Sequence, residues 1–342
     1  SEDAWAYVTT SPSWAIWVGL GADASRYSFR DTGDGATFVP YVLNSGVGAF
    51  LEWTPLDVWY SGDDWINPRG GRRIAVDWQL RHTRLLDTET SGFVYDDGEA
   101  LDSYLYNRAQ ITWTEFVPVG WFGATDRHTL QLDLEAGWID RNVMGWDEFV
   151  AGGRHPYHWG SGTIGNNVQF SGYEGWSLTG ETMLIANAAY RFPLLRDLNW
   201  KVGPIYTDAA YLQVFGTVGN LWSYRVVGDS HIEGYSVVPD AEGSVQREVP
   251  FRDYASKNSP SGEEHYWLTD VGVELRVRSF IWNDWDWDSF VRLAYGLQTT
   301  AGYGDVNADL VQSSVARDAA TELSAEVEPP TLHVYVGIGT GW

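Results

Sequence analysis

The chain has no cysteine and only two methionines in 342 residues. No disulfide can staple it and no thiolate can ligate a metal, a composition compatible with an oxidising compartment. No run of about 18 or more apolar residues occurs, which excludes a helical membrane span. No signal-peptide pattern is read within the sequence, and the start Ser1-Glu2-Asp3 is expected to suit a mature N-terminus. Repeats of about 20–50 residues and dividing linkers are both missing, so one domain over residues 1–342 is expected. Positive charge is scarce: 22 Lys and Arg against 46 Asp and Glu give a net charge of -24. That balance argues against nucleic acid or an anionic lipid surface as a direct partner.

Aromatic residues, by contrast, are abundant, with 20 Trp and 19 Tyr. Such amphipathic rings concentrate at membrane–water boundaries. Mean hydropathy is only -0.27, yet long alternating segments run through the chain. In Leu130–Trp138, leucines 130, 132 and 134 share a face with Ala136 and Trp138, opposite Gln131, Asp133 and Glu135. Val271–Ile281 opposes Val271, Val273, Leu275 and Val277 to Glu274, Arg276 and Arg278. Ile74–Leu80 does the same against Arg73, Asp77, Gln79 and Arg81. Period-two segments approaching ten residues exceed the ~5–6 residues of a sandwich strand and match a tilted membrane strand. Lipid on one face and an enclosed polar interior on the other would give this pattern.

Further strands are expected at Ala4–Thr9, Trp14–Leu20, Thr37–Leu43, Gly48–Tyr60, Leu105–Val117, Thr182–Phe192, Ala210–Trp222 and Ser289–Thr299. A last strand, Thr331–Trp342, sets Leu332, Val334, Val336, Ile338 and Trp342 on one face. Val334, Val336, Ile338 and Trp342 read as a C-terminal assembly signal. The fold class expected is therefore all-β: a transmembrane antiparallel β-barrel of about twelve strands, within a range of about 10–16. Its extracellular loops should be long and acidic, notably Gly228–Glu264 and Gly302–Pro330, while Pro193–Pro204 is a short link. Val315–Glu328 has helical character and is expected as a surface helix at the rim.

Residues Gly152–Pro193 leave strand periodicity and return to it. Their core is Phe170, Ser171, Gly172, Tyr173, Glu174 and Gly175, then Ser-Leu-Thr-Gly-Glu and a strand ending Ala-Tyr-Arg-Phe-Pro at Pro193. This segment resembles the surface-antigen superfamily, which includes BamA-type assembly barrels and two-partner secretion transporters. The nearest likeness is to barrels attached to TolB-like propellers. The resemblance covers roughly the second half of the chain. It implies a bacterial outer-membrane location and a long extracellular loop folded back into the lumen, with five strands after it. It also implies barrel-assembly machinery during biogenesis, outer-membrane lipid around the wall, and periplasmic or surface protein partners. Two departures stand out. Family loops place Arg before the Gly-Tyr or Gly-Phe pair as a lock to wall acids, and this chain has Ser171, leaving Arg154 as a substitute. Family barrels commonly have sixteen strands, and the segment before Gly172 is short for that scheme.

Arg73, Asp77, Arg81, Asp133, Glu135, Arg191, Glu274, Arg276 and Arg278 are expected to line the lumen. Mixed charges there either select a solute or pair across strands and fill a closed interior. His155 and His158 beside Arg154 have a ligand-like spacing but no completing carboxylate or Cys, so no metal is expected. Trp282, Trp285 and Trp287 form an aromatic, acidic turn that fits an interfacial girdle better than a sugar platform. No Gly-x-Ser-x-Gly elbow appears, and His82 or His265 has no identifiable catalytic partner; no enzyme and no cofactor are expected. The function expected is a translocation/assembly-type or anchoring barrel with a charged, loop-plugged lumen. A passive porin-like channel for small solutes and a structural scaffold barrel in a larger surface assembly are the alternatives.

Overall fold

The computed structural model describes residues 2–11, 14–26, 29–30, 37–38, 41–54, 56–57, 70–85, 94–95, 103–119, 128–140, 147–153, 167–168, 170–174, 177–195, 198, 200–224, 231–232, 235–236, 254–255, 266–281, 285–301, 327–328 and 330–339. Among the described residues, eleven strands in chain order make one continuous antiparallel wall. They are β1 (Glu2–Ser11), β2 (Trp14–Arg26), β3 (Tyr41–Trp53), β4 (Gly70–Leu85), β5 (Ser103–Pro118), β6 (Thr129–Ile139), β7 (Thr182–Leu195), β8 (Ile205–Tyr224), β9 (Leu268–Ile281), β10 (Trp285–Gly296) and β11 (Leu332–Gly339). Each pairs with its sequence neighbours, and among the described residues no ladder joins β1 to β11. No described helix is long and apolar enough to cross a membrane.

From β5 onward the connections alternate in length, while the β2–β3, β3–β4 and β4–β5 links are of similar size. At one end β1 passes to β2 through residues 12–13, β7 to β8 through 196–204, and β9 to β10 through 282–284. At the other end β6 passes to β7 through 140–181, β8 to β9 through 225–267, and β10 to β11 through 297–331. Short turns mark the periplasmic end of such barrels and long loops the extracellular end. In the β7–β8 link, Trp200–Val202 pairs back on Ile205–Thr207 across Gly203-Pro204. Gly203 has φ +61 at the first central position, where a primed hairpin turn takes glycine.

Alternation decides which face is buried. On β5, Tyr106, Arg108 and Gln110 are buried, while Leu105, Ile111, Trp113 and Val117 are exposed. The same division holds on β9, with Asp270 and Glu274 buried and Val271 and Val273 exposed. A wall with apolar side chains outside and polar ones inside inverts the rule for water-soluble proteins and satisfies a lipid surround.

Three sequence expectations need correction. Thr37–Leu43 and Gly48–Tyr60 are not separate strands of the wall; the ladder runs unbroken through Tyr41–Trp53, which leaves eleven wall strands among the described residues, inside the expected range of about 10–16. The Gly46-Val47-Gly48 run reads as a turn but serves a close approach. A Cβ on Gly46 would lie 2.7 Å from the Leu80 carbonyl oxygen of the neighbouring strand. Trp285 and Trp287 belong to β10 rather than to a turn, because Trp-Asp-Trp-Asp continues the period of two. Trp282 lies outside the described residues. Of the expected helix Val315–Glu328, only Val327–Glu328 is described, and it pairs as a short strand with Thr300–Ala301.

Candidate functional site: a loop seated on two stretches of the inner wall

Residues 140–181 connect β6 to β7, and their described parts pack on the polar face of the wall. The base is clasped where the Ile139 N–H donates to the Glu181 carbonyl at 2.9 Å. Asp140 also accepts from the Asn107 side chain at 2.8 Å. Within the loop, Phe149–Ala151 pairs antiparallel with Leu178–Gly180 and parallel with Asn167–Val168. The Gly153 N–H donates to the Tyr173 carbonyl at 3.0 Å, tying the Gly-Tyr turn to this small sheet.

One anchorage lies on β4–β6. Asp147 accepts from the Thr83 hydroxyl at 3.0 Å, and its carbonyl accepts from Arg108 Nη1 at 3.3 Å. The Arg108 guanidinium lies 4.2 Å from the centre of the Phe149 ring. That ring is fully buried and occupies the space beside Gly137, whose missing Cβ would sit 2.6 Å from it.

The second anchorage lies on β9–β11, beyond β7 and β8. The Gly172 N–H donates to Asp270 Oδ2 at 2.7 Å. A Cβ on Gly172 would meet Asp270 Cβ at 2.5 Å and the Gly296 nitrogen at 2.6 Å, so only glycine fits. The Tyr173 hydroxyl lies 2.9 Å from the Thr269 carbonyl and 3.0 Å from Gln298 Oε1, and it accepts from the Thr269 N–H at 3.2 Å. Burial pushes the Tyr173 phenol up to about 12, so the hydroxyl stays protonated as a donor. The Phe170 and Tyr173 rings pack with centres 5.0 Å apart. Finally, the Tyr335 hydroxyl of β11 donates to the Ser171 carbonyl at 2.9 Å.

The structure thus brings Phe170, Ser171, Gly172 and Tyr173 together on the wall, leaves Glu174 exposed, and does not describe Gly175. A wall acid, Asp270, is met by the backbone N–H of Gly172 where the family pattern uses a neighbouring arginine. Arg154, His155 and His158 lie outside the described residues, as does His265.

Below the loop, the charged residues read from alternation share the polar face. Arg73 pairs with Glu52 at 2.8 Å, and Asp77 accepts from Gln79 at 2.6 Å. Asp133 accepts from Thr114 at 2.7 Å and from Gln131 at 2.9 Å; Glu135 follows it two positions along the same strand. Arg191 donates to Gln131 and Gln213, each at 2.8 Å. Glu274 holds Arg276 at 2.8 Å and Arg292 at 3.3 Å, while Arg278 faces Asp208 at 3.7 Å. Arg81 lies on the same face of β4, half-buried. The pairs bring opposite charges together where neither could be buried alone. On β11, Val334 and Val336 are exposed; the Ile338 side chain and Trp342 lie outside the described residues.

Sequence reasoning missed Thr83, Arg108, Asp147, Phe149, Asp270, Arg292, Gln298 and Tyr335. Arg108, Asp270 and Arg292 were legible in principle, because each falls on the polar parity of an alternating strand. Asp147 and Phe149 carry no periodic signal.

An eleven-strand wall and a Gly-Tyr loop seated on it agree with one further finding. A family model, the Omp85 superfamily domain, matches residues 61–281, more than half of the 342-residue chain. The chain belongs to the Omp85 superfamily. It is an outer-membrane β-barrel protein, as the resemblance of its loop implied. The match is to the superfamily as a whole and does not single out barrels attached to TolB-like propellers. No curated protein matches the chain. Within this Omp85 barrel, the matched region runs from before β4 through β9 and so contains the whole loop.

Proposed function

We propose that this barrel is of the translocation/assembly or anchoring kind, with a lumen closed by the loop of residues 140–181. The observation that carries the reading is the double anchorage. Asp147 and Phe149 bind the wall at β4–β6, and Ser171–Tyr173 bind it at β9–β11. A segment fixed to both sides of a charged lumen obstructs free diffusion through it. Work with periplasmic or surface proteins, rather than solute uptake or catalysis, fits a closed and internally paired interior. Outer-membrane lipid surrounds the wall, and the barrel-assembly machinery is the partner during biogenesis. Val334, Val336 and Ile338 belong to the strand offered to that machinery, with Trp342 three residues beyond it in sequence.

Planar-bilayer recording tests the proposal. The purified protein should show no steady single-channel conductance, and Gly172→Ala should open one by lifting the loop from Asp270 and Gly296. Steady conductance from the unaltered protein would instead identify a passive pore and sink the closed-lumen reading. Stoichiometric co-purification of periplasmic or surface proteins is expected from native membranes.

A further inference from the structure

The outward face of β3–β5 is apolar in the middle, where Leu51, Val76, Trp78 and Ile111 are all exposed. Toward the periplasmic end it carries a charged pair. Arg72 and Glu115 are cross-strand partners in register, both at outward parity, with Arg72 Nη2 3.1 Å from Glu115 Oε1. Their side chains are 44% and 21% exposed, so neither charge turns toward the polar interior. Arg73, the next residue, takes that interior route and pairs with Glu52. The pair is held in place by aromatic neighbours. Trp113 Nε1 donates to Glu115 Oε2 at 3.1 Å, and the Arg72 guanidinium lies 5.8 Å from the centre of the Trp53 ring.

On a lipid-facing wall such a pair needs an explanation, because a charge among acyl chains is costly and these two face outward. Arg72 has five N–H donors, and one of them reaches Glu115. Each Glu115 oxygen retains a second lone pair beyond its single bond. The site therefore presents unused donors beside unused acceptors, in fixed positions, at the level of strand ends where headgroups sit. A zwitterionic headgroup with a phosphate and a primary ammonium has the complementary pattern. We propose that Arg72 and Glu115, framed by Trp53 and Trp113, form a binding site for an ethanolamine phospholipid of the periplasmic leaflet. Arg72 binds the phosphate, Glu115 takes the ammonium, and the outward face above them receives the acyl chains. A glycerol headgroup lacks the ammonium, and a choline headgroup has one that cannot donate a hydrogen bond.

The test is native mass spectrometry of the full chain released from nanodiscs. These contain equal amounts of dioleoyl phosphatidylethanolamine, phosphatidylglycerol and phosphatidylcholine. The protein should retain the ethanolamine lipid about fivefold over either competitor, the ratio expected of one interfacial charge contact. Arg72→Gln should abolish that preference. Glu115→Gln should turn it toward phosphatidylglycerol, by leaving an unpaired cation, and this variant carries the test should Arg72→Gln fail to fold. Arg73→Gln, on the opposite face, should leave it unchanged. Equal retention of the three lipids, or a preference that survives the Glu115 change, overturns the assignment.

Discussion

At the residue scale, the seat of the loop rests on small atoms as much as on charges. Gly172 works because nothing occupies its Cβ position, and Tyr173 because one hydroxyl meets both Thr269 and Gln298. Tyr173→Phe should cost about 1 kcal/mol, since it removes the hydroxyl's bonds to Thr269 and Gln298, which stay bonded to each other at 2.6 Å, while the ring still packs. The expected result is intermittent channel opening rather than the sustained conductance of Gly172→Ala. The pH response follows from the raised phenol. The fold favours the protonated form, so its contribution is complete below the ordinary value of 10.0 and disappears as pH climbs through about 12. Closure should stay flat from neutral pH to about pH 9 and fail only in strong alkali. A closed-to-open transition in bilayers near pH 7 would show that another group governs the seat.

At the element scale, strands were readable in the sequence and the loop's partners were not. Alternation placed β4, β6 and β9 because the middle of each turns one apolar and one polar face without interruption. It misjudged β3, where glycine normally signals a turn but here admits the neighbouring backbone at Gly46. The loop's identity was legible in Gly172-Tyr173, yet its contacts were not. Gly172 and Asp270 are 98 positions apart, and Ser171 and Tyr335 are 164 apart. Only the folding of the loop onto the wall determines that they meet, and no local period encodes it. The same holds for Phe149, an unremarkable residue in sequence that fills the space left by Gly137. Phe149→Ala should open a cavity there and cost about 3–5 kcal/mol. Heat-modifiable migration on gels should then be lost at a lower temperature than for the unaltered protein. An unchanged transition would mean that the loop adds nothing to the stability of the wall.

At the scale of the whole molecule, charge is partitioned. The chain carries -24 overall, yet the described side chains of its inner wall are close to balanced. Arg73, Arg81, Arg108, Arg191, Arg276, Arg278 and Arg292 stand there against Glu52, Asp77, Asp133, Glu135, Asp208, Asp270 and Glu274, with most of the resolved pairs between strands. Much of the acidic excess therefore belongs elsewhere, and residues 225–267 and 297–331 between the long strands are rich in Asp and Glu. Selectivity in a pore is set by the groups beside the permeating ion, and charges farther away than about 8–10 Å are screened at physiological salt. An opened lumen should consequently discriminate weakly. With Gly172→Ala in a tenfold KCl gradient, the reversal potential should lie near zero. Net charge alone would demand a strongly cation-selective pore. Should potassium dominate, the acidic loops must reach into the conducting path, and the balanced wall would not be what the ions meet.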